Sequence, residues 1–290
     1  MSAPPLLFDS RRRQARLGRA RRRFAGADFL HVRAAEDAVE NLSAIMREFG
    51  EVVDLSVHSG VFARALAGSP AQARLGPVRE AGAQAFAPDE ALPLTPQGAD
   101  LIVSLLSLHW MNDLPGAMAQ IRRGLRPDGL FLGALIGGAS LKELRWALTE
   151  AEIEARGGAQ PRVSPFADGF DGGALLQRAG FALPVSDVDR ITVTYTDMFA
   201  LIGDLRAMGE TAAFTDTGRP LTRGIAARAA ELYAQRYGEA DGRIPATFEI
   251  INLAGWAPHA SQQTPLPRGS AKVRLADALG VAERTGEEPD

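Results

Sequence analysis

The stretch Glu51-Val52-Val53-Asp54-Leu55-Ser56-Val57-His58-Ser59-Gly60 sets an acid, hydroxyls and an imidazole at the end of an apolar run. With the segment Val61 to Ala67 as a following helix, this reads as strand, tight turn and helix, the arrangement that cradles an adenosine cofactor. In the pattern D-L-G-x-G-x-G, glycines let the backbone pass close to the ligand and take positive φ. Here Ser56 and His58 stand at the first two glycine positions, and only Gly60 remains. Two side chains therefore project into or beside the cofactor's space. Asp54 can position a ligand amine or cap the next turn. His58, whose ordinary pKa is about 6.5, can serve as a general base or fill a cavity no cofactor uses.

Further along, Ser107, His109 and Trp110 follow a buried apolar run, where open α/β sheets place their ligands. His109 and Trp110 can contact substrate or adenine there, or pack under the next helix. Arg145, Asp204 and Glu210 are candidates for a substrate-facing rim, although charged residues on helices are more often solvated. The catalytic candidates are His109, Arg145 and Asp204. There is no cysteine, which excludes disulfides, thiolate metal sites and a cysteine nucleophile. His31 and His259 are too far apart, and too poorly supported by carboxylates, to suggest a metal site.

The elements that must hold these residues alternate. Residues 28 to 49 carry apolar positions at helical spacing. Glu51 to Val57 is the first strand, and a second is hard to place because Gln72 to Val78 is broken by Gly76 and Pro77. Asp100 to Leu106 and Leu130 to Ile136 are continuous apolar runs, as in buried parallel strands. Between them lie a helix from Pro115 to Gly124 and a turn, Leu125 to Gly129. Helices follow over Leu141 to Arg156 and Asp171 to Ala179, then a strand over Arg190 to Thr196. The helices Met198 to Met208 and Gly224 to Tyr237 are inserted before a last strand, Ala246 to Leu253. This predicts an α/β fold, a doubly wound Rossmann-like sheet with a helical insertion over 197–240. The expected organisation is a basic helical segment over 1–50, the main domain over 51–257 and a loosely held tail over 258–290.

The chain has 290 residues, 46% of them hydrophobic, and a net charge of −3. That suffices for one large core or two modest ones. No apolar run approaches the length that spans a bilayer. Lysine occurs only at Lys142 and Lys272, and the arginine and alanine bias suggests a GC-rich bacterial gene. Arg11, Arg12, Arg13, Arg16, Arg19, Arg21, Arg22 and Arg23 crowd the start. Such a segment can bind nucleic acid or acidic lipid, or form a solvated amphipathic helix packed through Leu17 and Phe24, which is the commoner case. The mixed, charged stretch Ala25 to Glu40 does not suit an export signal. The location expected is cytoplasmic, with peripheral contact at the inner face of the membrane as a further reading and no nucleic-acid partner.

Several motifs narrow the fold to a family. Ser104-Leu105-Leu106-Ser107-Leu108-His109-Trp110-Met111-Asn112-Asp113-Leu114-Pro115 and Leu125-Arg126-Pro127-Asp128-Gly129 resemble class I S-adenosylmethionine methyltransferases. Gly137-Gly138-Ala139-Ser140-Leu141-Lys142-Glu143-Leu144-Arg145, Arg156-Gly157-Gly158 and Ser164-Pro165-Phe166 narrow the match. So do Tyr195 to Phe199, Asp204 to Glu210 and Ile244 to Phe248. Together they resemble the complex I assembly factor 5 family of methyltransferase-like proteins and its alphaproteobacterial members, from about Phe8 to Trp256. The malonyl-carrier-protein methyltransferase of biotin synthesis is a more distant cousin.

The resemblance implies an accessory factor for NADH:ubiquinone oxidoreductase with a complex I subunit as client, and its mitochondrial members are arginine hydroxylases. It implies S-adenosyl-L-methionine as cofactor, with Asp54, Ser56, His58, Gly60, Asp89 and Ser107 on the cofactor side. Relatives keep a glycine-rich loop that this chain lacks. In such enzymes an acid ending the second strand holds the ribose; Glu80 is the nearest candidate, after a poor strand. The pair Asp89-Glu90 falls where an acid lies near the adenine. Three readings follow: an assembly factor binding the cofactor poorly or not at all, an active S-adenosylmethionine-dependent enzyme modifying a protein side chain, and a malonyl-carrier-protein methyltransferase.

Overall fold

The computed structural model describes residues 6–82, 89–165 and 171–262. The chain divides into two compact units, Met1–Pro258 and His259–Asp290. Phe166 and most of the tail, 263–290, lie outside the described residues.

In chain order the first unit runs α1 (Ser10–Ala20), α2 (Phe29–Ser43), β1 (Val52–Asp54), α3 (Val61–Leu66), β2 (Val78–Glu80), β3 (Ala99–Leu105) and α4 (Leu114–Gly124). It continues through β4 (Leu125–Ile136), α5 (Lys142–Arg156), α6 (Asp171–Arg178), β5 (Ala182–Tyr195), α7 (Met198–Met208), α8 (Arg223–Tyr237) and β6 (Ile244–Trp256). The strands form one sheet in the order β2-β1-β3-β4-β6-β5, and β6 runs antiparallel to both neighbours. The predicted doubly wound α/β architecture with its helical insertion is the one that forms.

Strand periodicity sorts the apolar residues to two faces, because successive side chains point to opposite sides. Leu101, Val103 and Leu105 of β3 and Leu130, Leu132 and Ile136 of β4 pack with α2, α3, α5, α7 and α8. Ile102, Phe131 and Leu135 face the other way, onto α4 and α6. Local chemistry fixes the helix ends. Asp9, Asp113, Asp197 and Thr222 accept backbone N–H groups at the starts of α1, α4, α7 and α8, each cap contributing about 1 kcal/mol.

Several boundaries differ from the sequence reading. The second strand exists as Val78–Glu80, just past the Gly76-Pro77 break, and is in register with β1, Asp54 facing Glu80. Leu125 to Gly129 is not a free turn: it joins β4, pairing Leu125 with Ala99 before the register shifts. Its turn chemistry survives as an irregularity with Asp128 at φ 62°. β5 starts at Ala182 rather than Arg190, because β6 supplies a partner along its length. The N-terminal helix is not purely solvated, since Arg13 is buried.

The chain leaves β1 for β2 on one side and returns to β3 on the other. The loops after β1 and β3 therefore flank a topological switch point, where open sheets form their crevice.

Candidate functional site

The loop after β1 is tied to itself and to the exit of β3. Asp54 Oδ1 accepts from Ser56 N at 2.8 Å. Ser56 Oγ accepts from Leu105 N at 2.9 Å. Ser107 Oγ donates to Leu105 O at 2.8 Å and accepts from Val57 N at 3.0 Å. Burial pushes the Asp54 carboxyl up to about 6; its bonds to Ser56 pull it down, and Glu80 adds to the rise. Gly60, at φ 81°, turns the chain into α3, a conformation that glycine takes without strain. Leu106 holds φ 46° between β3 and the next turn, a strained position of the kind found at ligand clamps and active sites.

His58 faces away from solvent. Its ring stacks on Phe24 with centroids 3.7 Å apart and planes 4° from parallel, and its Nε2–H donates to Met208 O at 2.8 Å. His31 stands edge-on to both rings, 4.9 Å from Phe24 and 4.8 Å from His58. Burial, then the neighbouring His58, drives His31 down to about 3. Burial also lowers His58. Both rings are neutral at physiological pH.

Beside this stack Glu210 gathers three side-chain donors from two parts of the chain. His109 Nε2 reaches its Oε2 at 3.0 Å and Trp110 Nε1 reaches the same oxygen at 2.8 Å. Arg13 Nη2 donates to Oε1 at 2.6 Å, and its Nη1 donates to Gly209 O. The Arg13 guanidinium also lies over the Trp110 ring, 4.5 Å from its centroid. Burial alone would raise the Glu210 carboxyl, but Arg13 and His109 hold it well below the usual carboxylate range. Glu210 also borders a cavity of about 190 Å³ lined by Leu141, Leu144, Leu205 and Ser164.

The other candidates spread out. Asp89 is exposed and accepts from Ala91 N at 3.3 Å. Its neighbour Glu90 takes the structural part, accepting from Asn112 N at 2.7 Å, Asn112 Nδ2 at 2.8 Å and Asp113 N at 2.9 Å. Arg145 donates to Ser140 O at 3.2 Å and to Gly138 O and Ser164 O at 3.5 Å, which staples two loops. Asp204 lies against Tyr195, whose hydroxyl is raised by burial and then by that carboxylate. Ser56, His58, Ser107, His109 and Glu210 come together; Arg145, Asp204 and Asp89 do not join them. Among the described residues no three acidic or histidine side chains group to hold a metal ion.

Arg13, Phe24 and His31 escaped the sequence reading as site residues. A run of arginines gives no sign of which member is buried, and the partner of each of the three is fixed only by tertiary packing.

The residues expected to face an adenosine cofactor are arranged as follows. Glu80 ends β2 as a ribose anchor requires, and its Oε1 would lie 3.8 Å from a Cβ on Gly60. A Cβ at Gly82 would meet Ser56 O at 1.8 Å, so only glycine lets the backbone after β2 approach the loop this closely. Ser56, with its hydroxyl bound to Leu105 N, and the stacked His58 stand where glycines would leave the backbone open. The loop thus carries two side chains at positions where a glycine-rich loop has none.

Residues 38–133 match the methyltransferase domain family. The zebrafish Danio rerio protein named arginine-hydroxylase NDUFAF5, mitochondrial, is 45% identical over 198 residues, covering 68% of this chain and 62% of that protein. Its Rattus norvegicus counterpart is 47% identical over 192 residues, 66% of this chain and 56% of that one. The chain is similar to the NDUFAF5 proteins over about two thirds of its length. It spans less than two thirds of the length of these relatives. The malonyl-[acyl-carrier protein] O-methyltransferase of Laribacter hongkongensis is more distant, 39% identical over 180 residues, 62% of this chain and 58% of that one. Identity to the NDUFAF5 proteins thus exceeds that to the carrier-protein enzyme, the ranking expected from the motifs.

Proposed function

We propose that the protein is a methyltransferase-fold accessory factor for the assembly of respiratory complex I, working in a bacterial cytoplasm with a complex I subunit as its client. Its S-adenosylmethionine loop is degenerate and holds that cofactor weakly or not at all. What carries the reading is the stacking of His58 on Phe24 with its Nε2 on Met208 O, together with the likeness to NDUFAF5. Among the described residues no helix is long and apolar enough to cross a membrane.

The second reading is an active enzyme modifying a protein side chain. It is favoured by Glu80 at the end of β2, and by the name arginine-hydroxylase borne by the relatives. Calorimetric titration with S-adenosylmethionine and S-adenosylhomocysteine separates the two. The first reading expects little or no heat; a low-micromolar dissociation constant, about −8 kcal/mol, favours the second. Deleting the gene tests the client: complex I activity should fall without a biotin requirement. Biotin auxotrophy with normal NADH oxidation would point to the carrier-protein methyltransferase instead.

A further inference from the structure

Away from the Asp54 to Gly60 loop, five arginines line one cleft of about 660 Å³: Arg16 and Arg19 of α1, Arg22 and Arg23 just after it, and Arg206 of α7. Ile202 and Thr211 also line it, and among the described residues the lining includes no carboxylate. Arg16 donates Nη1 to Thr211 O, and Arg19 donates Nε to Ala15 O at 3.2 Å. These bonds to carbonyls orient two guanidiniums without neutralising them. The Arg16 guanidinium is disfavoured first by burial and then by repulsion from Arg19, Arg13 and Arg12. The whole chain is net negative, −3, so this is a local concentration of charge rather than general basicity.

Guanidinium forks match phosphate oxygens two at a time, and a concave wall of them focuses the field on an incoming anion. The cleft has the size of a small-molecule site, within roughly 300–1,000 Å³. It shares Ile202, Arg206 and Thr211 with the neighbouring cavity of about 190 Å³, whose walls include Leu144, Leu148 and Leu205. A phosphate in the cleft would therefore have room for an apolar group beside it. We propose that the arginine cleft binds the phosphate of an amphiphilic phosphate ester, the apolar part entering the adjoining cavity. A phospholipid headgroup and a soluble phosphate ester share that chemistry. The proposal is independent of whether S-adenosylmethionine binds.

The test uses the full chain with three probes at low salt: inorganic pyrophosphate by calorimetry, phosphatidylglycerol vesicles in a phosphatidylcholine background by co-sedimentation, and single-stranded RNA as a competing polyanion. Arg19→Gln/Arg22→Gln/Arg23→Gln is compared with the parent, its fold checked by thermal melting. If the triple variant does not fold, Arg22→Gln/Arg23→Gln replaces it. We expect salt-dependent binding of pyrophosphate or of the vesicles, weakened about tenfold or more in the variant. Pyrophosphate binding shows that the cleft takes a soluble phosphate group, and vesicle binding alone identifies a lipid headgroup. Binding of neither probe, binding that survives the substitutions, or tighter binding of RNA than of either probe would overturn the proposal.

Discussion

Arg13 and Glu210, 197 positions apart, meet at 2.6 Å with side chains only 2% and 8% exposed. The first helix is thereby fastened to the segment after α7, over Trp110. The bridge is extended by backbone bonds from Asp9 N to Ala213 O and from Thr215 N to Leu7 O, both on the same strap. Removing one partner of a buried pair leaves the other charge without compensation. Arg13→Ala should lower stability by about 3 kcal/mol, read from urea denaturation. A loss under about 0.5 kcal/mol, the range of ordinary surface changes, would show that the strap holds without this pair.

The same pair predicts acid lability. Glu210 titrates below an unfolded glutamate, so its contribution is present above the unfolded value of about 4.3 and is lost as pH falls through the lower folded value. Glu210→Gln should flatten the acid limb of a melting-temperature profile below about pH 4.5. An unchanged limb would place the acid sensitivity elsewhere.

Asp54 behaves oppositely. Its folded pKa, about 6, lies above the ordinary value. The folded chain therefore retains the proton longer, and stability declines as pH rises from about 4 to about 6. Asp54→Asn keeps an acceptor for Ser56 N without a buried charge. It should gain on the order of 2 kcal/mol above pH 6 and nothing below about pH 4, measured by denaturant midpoints. Equal shifts at both pH values would mean that the substitution acts through packing.

His31 has both ring nitrogens buried without a hydrogen-bond partner among the described residues. Its folded pKa, about 3, is depressed, so the unfolded chain protonates first. Stability is full above about pH 6.5 and is lost as pH falls toward 3. His31→Leu should be neutral or stabilising at neutral pH and should hold its midpoint better at about pH 5. A large loss at neutral pH would reveal a polar partner for the ring.

Ser56→Gly/His58→Gly asks whether the loop alone closes the cofactor site. The variant removes the stack on Phe24 and leaves the Leu105 N–H without its acceptor, costing about 1–3 kcal/mol for that buried amide. With Glu80 in place at the end of β2, measurable S-adenosylmethionine binding should appear in the calorimeter despite the lower melting temperature. No binding by a folded variant would mean that the close contact of Gly82 with Ser56 closes the space by itself.

The sequence by itself determined the architecture and singled out the candidate loop. Short continuous apolar runs bounded by turn residues, such as Asp100 to Leu106, read as strands covered on both faces, and their alternation with helical patterns implies the doubly wound sheet. Asp54, His109 and the missing glycines were legible because strand ends and φ requirements are local properties. β2 was not, since a strand of three residues exists only because β1 offers it a ladder. Which of the eight N-terminal arginines would be buried, and that His58 would turn onto Phe24 rather than into the crevice, depended on partners far along the chain. Burial of a charge is decided by whether a compensating group arrives from elsewhere, and only tertiary packing brought Glu210 to Arg13.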